Sequence, residues 1–336
     1  MDKKLQNIEI YQKLIDSIGS TIEGARQRAI QAVNNELLRA NWEIGKYIVE
    51  YEQQGNEKAE YGSSLLTNLS KDLKFRFGKG FSKSNIYLMR QFYLKYQIFQ
   101  SVTGKLTWTH YAELLGVSDD NARGFYEKQA LNENWSVREL KRQISSSLFE
   151  RLALSKDKIG IFKLSEKGQI ISEPKDIVKD PYVLEFLQIP EEYRMTESKL
   201  EQKIIDNLQK FLLELGKGFS FVGRQCRITL DNDHYYVDLV FYHRILKCFV
   251  LIDLKTKHVK HYDIGQMNMY LNYFKTEENT EGDNPPIGIV LGADKNDILV
   301  EYAIGGISNN IFVSKYQLYL PDRKVLEQKV KELIFE

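Results

Sequence analysis

Residues 235–255, YYVDLVFYHRILKCFVLIDLK, contain two strand-length apolar runs, Tyr235 to Tyr242 and Cys248 to Leu254, with two carboxylates and a lysine among them. Both runs are rich in Val, Ile, Leu, Phe and Tyr, and His243 to Lys247 between them suits a hairpin connection. A loop centred between Ile245 and Leu246 sets Asp238 directly opposite Asp253. Opposed residues have Cβ atoms roughly 5 Å apart. Side chains alternate across a sheet, so Asp253 and Lys255 share a face while Leu254 points away. Two carboxylates that close repel each other unless one takes a proton or a cation sits between them, and oxygen ligands favour a hard ion, Mg²⁺ or Mn²⁺. Frayed, solvated strand ends also carry charge, and either aspartate alone suits that reading. Together they do not, because Val237 and Leu239 flank Asp238 while Ile252 and Leu254 flank Asp253, leaving both faces apolar as in a covered strand.

Upstream, Ile204, Ile205, Leu208, Phe211, Leu212 and Leu215 recur at helical spacing, which predicts a helix over 197–215. At about 100° per residue, Glu201 falls near the centre of the buried face and Glu214 is turned well away. A buried acid needs a partner, so Glu201 is a candidate third oxygen ligand or water-polarising group. Its alternative is to complement the dipole at the helix N-terminus. Over 264–274, Gln266 and Tyr270 stand one helical turn apart and share a face. Lys257, His258, Lys260 and His261 form a solvated loop in which Lys257 and Lys260 can meet phosphates. Cys226 and Cys248, the only cysteines, lack a C-x-x-C partner for zinc and are expected as buried thiols on neighbouring strands. There is no G-x-x-x-x-G-K-[ST] phosphate loop.

The chain has 336 residues and a net charge of +1, which suits about two domains and leaves nucleic-acid contact to local patches. The first residues, MDKKLQNIEIYQKL, lack a signal-peptide core, and no apolar run approaches membrane-spanning length. A cytoplasmic location is expected, in keeping with sparse cysteine. From Leu5 to Tyr51 the apolar spacing predicts long amphipathic helices. Phe77 to Phe81 makes a glycine-rich turn before Ser82, the N-cap of a helix reaching Tyr96. Around it Lys71, Lys74, Arg76, Lys79, Lys83, Arg90 and Lys95 are interleaved with Phe75, Phe77, Phe81, Tyr87, Phe92 and Tyr93, as a base-stacking, phosphate-tracking surface would need. A core role for most of the aromatics is the competing expectation. His110 to Leu115, Asn121 to Leu131 and Val137 to Ser146 suit a helix-turn-helix-like unit, the last helix capped by Ser136 with Glu139. Arg138, Lys141 and Arg142 make that helix a candidate DNA-contacting element, with self-association as the alternative. His110, beside Trp108 and Tyr111, is read as a packing histidine. The boundaries expected are a helical domain at 1–151, a linker and docking segment at 152–196 with a short helix over Tyr182 to Leu187, and an α/β domain at 197–336.

Several longer stretches share one likeness: FLLELGKGFSFVGRQCRITL (211–230), DLVFYHRILKCFVLIDLK (238–255), IGQMNMYL (264–271) and IGIVLGADKN (287–296). With WEIGKYIVEYEQ, YGSSLL, FGKGFSKSNIYLMRQFY, LTWTHYAELL and WSVRELKRQI, they resemble the YhcG-like family of bacterial PD-(D/E)xK nuclease-fold proteins over nearly the whole chain. The resemblance implies an α+β protein. An all-helical N-terminal domain precedes a restriction-endonuclease-like α/β core of mixed sheet flanked by helices. It also implies Mg²⁺- or Mn²⁺-dependent hydrolysis of DNA phosphodiesters to a 5′-phosphate and a 3′-hydroxyl, with RNA a further possible substrate. Asp238, Asp253 and Glu201 are the implied metal ligands and Lys255 the catalytic lysine. The Q-x-x-x-Y pair resembles an auxiliary motif in which Gln266 serves a metal water or the lysine and Tyr270 holds phosphate. Two positions depart from the pattern: Val237 stands where the superfamily name puts proline, and Asp253 where many relatives carry glutamate. Neither change removes an oxygen ligand, but the shorter acid leaves the metal's identity open. A homo-oligomer and partners from DNA processing or defence are expected. The alternative function is a catalytically inactive nuclease-fold protein that binds nucleic acid or scaffolds such a complex.

Overall fold

A computed structural model describes residues 2–54, 59–99, 102–154, 156–190, 195–307 and 310–335. They form two compact units, one of Met1–Arg123 with Asn134–Leu140, the other of Gly124–Glu133 with Lys141–Glu336.

The first unit is helical. The helices expected between Leu5 and Tyr51 are one continuous helix of 53 residues, α1 (Asp2–Gln54), followed by α2 (Ala59–Phe77), α3 (Lys83–Lys95) and α4 (Trp108–Leu115). Ser82 caps α3 as expected, its Oγ accepting from Asn85 N at 3.1 Å. Gly45 lets α1 and α3 touch, since a Cβ there would lie 2.0 Å from the Met89 carbonyl oxygen. Phe92 is buried among Tyr96, Trp108 and Tyr111. Phe75 and Phe77, by contrast, are exposed at the end of α2, so a core role does not extend to them. His110 is buried and satisfied, by Thr107 at one ring nitrogen and the Trp135 carbonyl at the other. The chain then runs through α5 (Asp120–Glu133) and α6 (Val137–Ser145). The Ser136–Glu139 capping box is present, with bonds of 2.6 and 3.3 Å.

The second unit continues with α7 (Leu148–Ala153) and α8 (Lys158–Lys167) and is built on a six-stranded mixed sheet. Its strands are β1 (Tyr182–Val183), β2 (Phe219–Leu230), β3 (Asp233–His243), β4 (Cys248–His258), β5 (Ile287–Asp294) and β6 (Asn310–Gln317), in the order β1-β6-β5-β4-β3-β2. The β2–β3–β4 portion is antiparallel and the β4–β5–β6–β1 portion parallel. The short helix expected over Tyr182 to Leu187 is instead β1 and a 3₁₀ turn, Glu185–Leu187. Six residues offer few helical hydrogen bonds, whereas the edge of β6 takes up this backbone, with Leu184 N donating to Gln317 O at 2.7 Å.

The helix expected over 197–215 is broken at Asn207 into α9 (Glu197–Asp206) and α10 (Leu208–Leu215). They cover one face of the sheet, where Ile204 and Phe211 meet Phe241 and Ile252. Helix α11 (His261–Tyr273) covers the other, where Met267 and Leu271 meet Leu251 and Val290. Beyond β5 lies α12 (Asp297–Ile304), and α13 (Arg323–Phe335) closes the described chain. A Cβ at Gly288 would lie 2.5 Å from Met267 Cγ. Gly288→Val is therefore expected to lift α11 and cost about 1–3 kcal/mol, read as a lower urea midpoint. Cys248 is buried and Cys226 half-buried, but their strands are separated by β3, so they are not neighbours. Among the described residues no helix is long and apolar enough to cross a membrane.

Candidate active site

The β3–β4 hairpin runs in register from His243↔Cys248 to Leu239↔Ile252. The next rung is Asp238 and Asp253, where the ladder stops and a carboxylate takes over: Asp238 Oδ2 accepts from Leu254 N at 2.7 Å. Asp253 is buried, and its Oδ2 forms an ion pair with Lys255 Nζ at 2.6 Å. Burial, only partly offset by Lys255 and reinforced by Asp238, pushes the Asp253 carboxyl up to about 7. Burial also works against the Lys255 ammonium, but Asp253, then Glu197 and Asp263, hold it above the usual lysine range. Asp263 Oδ1 stands 4.0 Å from Lys255 Nζ, and its other oxygen accepts from Lys260 N at 2.8 Å at the start of α11.

Glu201, on α9, is buried as its place on the apolar stripe predicts. Gln225 Nε2 donates both to Glu201 Oε2, at 2.6 Å, and to Asp238 Oδ1, at 3.0 Å. Burial, eased by the Gln225 bond and sharpened by Asp238, holds the Glu201 carboxyl above its ordinary value. Gln225 sits in β2 between Arg224↔Leu239 and Cys226↔Val237, hence across from Asp238, with a left-handed φ of 46°.

Sequence models match both halves of the chain: the YhcG PDDEXK nuclease domain over residues 175–331 and the DUF1016 N-terminal domain over residues 17–151. "Putative nuclease YhcG" of Escherichia coli (strain K12) is 39% identical over 352 aligned positions, covering 95% of this chain and 93% of that protein. The chain belongs to the YhcG family. Two solved structures align over a smaller part, "crystal structure of a repair endonuclease from Pyrococcus abyssi" and "Structure of EndoMS-dsDNA2 complex". They are 17% and 15% identical, cover 39% and 40% of this chain, and each has a TM-score of 0.27. The aligned part spans about half of each of those chains, 50% and 49%.

In this YhcG-family chain the residues expected to hold metal are not equally close-set. Asp238 and Asp253 are neighbours across a strand pair, and Gln225 stands between Asp238 and Glu201. Among the described residues no three His, Cys, Asp or Glu side chains converge as a ready metal cluster. The donors nonetheless suit a hard divalent ion. Asp253 is a buried carboxyl that burial and the neighbouring Asp238 hold above its ordinary range despite Lys255, a setting in which a divalent cation would favour its ionised form.

Gln266 Nε2 donates to the Tyr270 hydroxyl at 2.6 Å, and that hydroxyl donates to Tyr236 O at 3.1 Å. Tyr270 is buried in the core beneath α11, so it is placed to brace β3 rather than to meet a phosphate directly. Lys257 and Lys260 are exposed, Lys260 over the Tyr262 ring at 5.5 Å, and His258 pairs with Asp294 at 3.0 Å. On α6, Arg138 and Lys141 are exposed. Arg142, expected to contact DNA, turns inward to the half-buried Glu185 at 3.0 Å and the buried Glu214 at 3.2 Å, because these acids offer it charged hydrogen bonds.

Glu214 is also a correction. Expected to turn away, it is fully buried, because the break at Asn207 resets the helical phase on which that reading depended. Gln225 and Asp263 were not singled out from the sequence. The Asp231-Asn232 pair between Leu230 and Asp233 marks a two-residue turn that would have put Gln225 opposite Asp238.

Proposed function

We propose that this chain is a metal-dependent DNA endonuclease whose active site is Asp238, Asp253, Lys255 and Glu201, assisted by Gln266. The observation that carries this reading is the Asp238–Asp253 rung, with Asp253 buried and its Oδ2 paired with Lys255 Nζ at 2.6 Å. Asp238 and Asp253 would hold a Mg²⁺ or Mn²⁺ ion, with Glu201 a further oxygen once Gln225 swings aside. Such an ion supplies charge neutralisation at a phosphate oxygen and a lowered pKa for water. Lys255 Nζ orients the attacking water and stabilises charge on the phosphorus oxygens. Glu201, its carboxyl raised by burial, is suited to accept a proton from that water at Oε1 or Oε2. Gln266 acts through Tyr270, fixing the strand that carries Asp238.

DNA contact outside the site draws on Lys257, Lys260, Arg138 and Lys141, which are exposed cations. The exposed Phe75 and Phe77, among exposed Lys71, Lys74, Arg76 and Lys79, add a stacking surface on the helical unit. The same reading makes the protein a cytoplasmic homo-oligomer acting in DNA processing or defence.

Titration of Mg²⁺ or Mn²⁺ against plasmid and branched DNA tests the proposal, comparing wild type with Asp253→Ala. Metal-dependent products from the wild type alone are expected. Equal binding by both proteins with no metal-dependent product would instead favour a catalytically silent DNA-binding protein.

The Asp253 carboxyl adds a pH prediction. Without metal, folding stability should fall as pH rises from the usual 3.8 through about 7, because the unfolded carboxyl ionises freely and the buried one does not. Metal binding requires the ionised form, so below pH 7 it should release a proton. Calorimetry in buffers of different ionisation enthalpy measures that proton. No release at pH 6 would show that Asp253 is already ionised there.

A further inference from the structure

The longest unpartnered surface is on α1. From Tyr11 to Leu37 the helix carries Tyr11, Ile15, Ile18, Ile22, Ile30, Val33 and Leu37 on one seam, each between 43% and 63% exposed. Leu38 is the only fully buried residue between 11 and 40, so this stretch stands in water on nearly every side. A helix gains most of its stability from packing an apolar face, and among the described residues this seam is left uncovered.

The seam has an internal symmetry. With Arg26 included, the positions step by four, three, four, four, four, three and four, a spacing that reads the same in both directions about Gly24. Threes and fours are the intervals of a coiled-coil seam, and three fours in succession amount to two adjoining stutters within one. Two copies laid antiparallel about Gly24 set Tyr11 against Leu37, Ile15 against Val33 and Ile18 against Ile30. The central pair sets Ile22 against Arg26, whose aliphatic stem can cover it. The charges agree with that direction. Between 11 and 37 the charged residues are Lys13, Asp16, Glu23, Arg26, Arg28 and Glu36. Antiparallel pairing brings Glu23 near Arg26, whereas parallel pairing puts each of them beside its own copy.

We propose that α1 is a self-complementary antiparallel coiled-coil interface, centred on Gly24, that joins two copies of this chain. Seven large apolar side chains from each copy supply about 800 Å² per partner, the size of a standard specific interface. This deepens the self-association part of the reading above. Its tests read mass and cross-linking, so their failure is distinguishable from failure of the nuclease assignment.

Light scattering on the full chain should give twice 39.3 kDa, and Ile18→Arg with Ile30→Arg should give the monomer mass. Should that variant not fold, the charges provide a second test. Glu23→Arg and Arg26→Glu should each weaken association roughly tenfold, since each replaces two attractive pairs per dimer by two repulsive ones. The two changes in one chain should restore it. For direction, an oxidised mixture of Ile18→Cys and Ile30→Cys proteins should cross-link, with wild type as the background, while neither variant alone does. A monomer at every concentration, a dimer indifferent to the α1 changes, or self-linking of Ile18→Cys alone would overturn the proposal.

Discussion

Asp238→Ala and Lys255→Ala should each abolish metal-dependent cleavage, by about a thousandfold or more, while leaving a folded protein. The two losses have different causes. Asp238→Ala removes a proposed oxygen ligand and also the acceptor for Leu254 N, a bond at the open end of a ladder whose other rungs remain. Lys255→Ala leaves both carboxylates in place but removes the charge that lowers the Asp253 carboxyl, which should then titrate still higher than about 7. Lys255→Arg separates charge from geometry. It should restore the Asp253 titration yet recover little cleavage, because a planar guanidinium does not replace a point charge at 2.6 Å. Asp253→Asn should stop cleavage and, without metal at neutral pH, make the fold more stable by removing a disfavoured charge. Full cleavage by purified, folded Asp238→Ala and Lys255→Ala proteins would eliminate the assignment.

What could be read from the sequence depended on how local the deciding contacts are. The Asp238–Asp253 rung follows from a short hairpin, where apolar alternation and loop length together fix register. The Ser82 and Ser136 caps were legible for the same reason, since a cap is decided within four residues. The Glu201 position was right because the 100° step was applied within one unbroken helix. The same step failed for Glu214 because Asn207 intervenes, with φ −120° and ψ 28°, and a single residue out of helical phase rotates everything after it. Tyr182 and Val183 became a strand because β6 offers hydrogen bonds from more than a hundred residues away, which no local pattern records. Arg142 was legible as a cation but not as an inward-turned one, because its partners Glu185 and Glu214 are distant in the chain. The family resemblance, by contrast, covered both halves of the chain, and its fold is the one observed.

Glu214→Ala should destabilise the second unit by about 3–5 kcal/mol, the cost of breaking a buried ion pair from one side. Its carboxylate accepts from Arg151 Nη1 at 2.7 Å, from Val183 N at 2.9 Å and from Arg142, and its own carbonyl accepts from Lys179 Nζ. Arg151, Lys179 and Glu214 are all buried, so removing the acid strands two cations away from water. Burial alone would raise the Glu214 carboxyl, but Arg151, Lys179 and Arg142 outweigh it and hold it at about 2. A depressed acid contributes stability that is complete above its usual 4.5 and is lost as pH falls towards 2. Urea unfolding of the wild type should therefore weaken across that window more steeply than that of the variant. Lys179 runs the other way, because burial brings it down to about 8 despite the pull of Glu214. Its share of stability rises between pH 8 and 10.5, so the two windows do not overlap. Arg151→Met combined with Glu214→Leu should recover much of the loss, since apolar side chains of similar volume remove both charges at once. If Glu214→Ala unfolds at the wild-type urea concentration, the acid does not hold Arg151 and Lys179 in place. The stretch 141–151 would then owe its position in the nuclease unit to apolar packing through Leu148, Phe149 and Leu152.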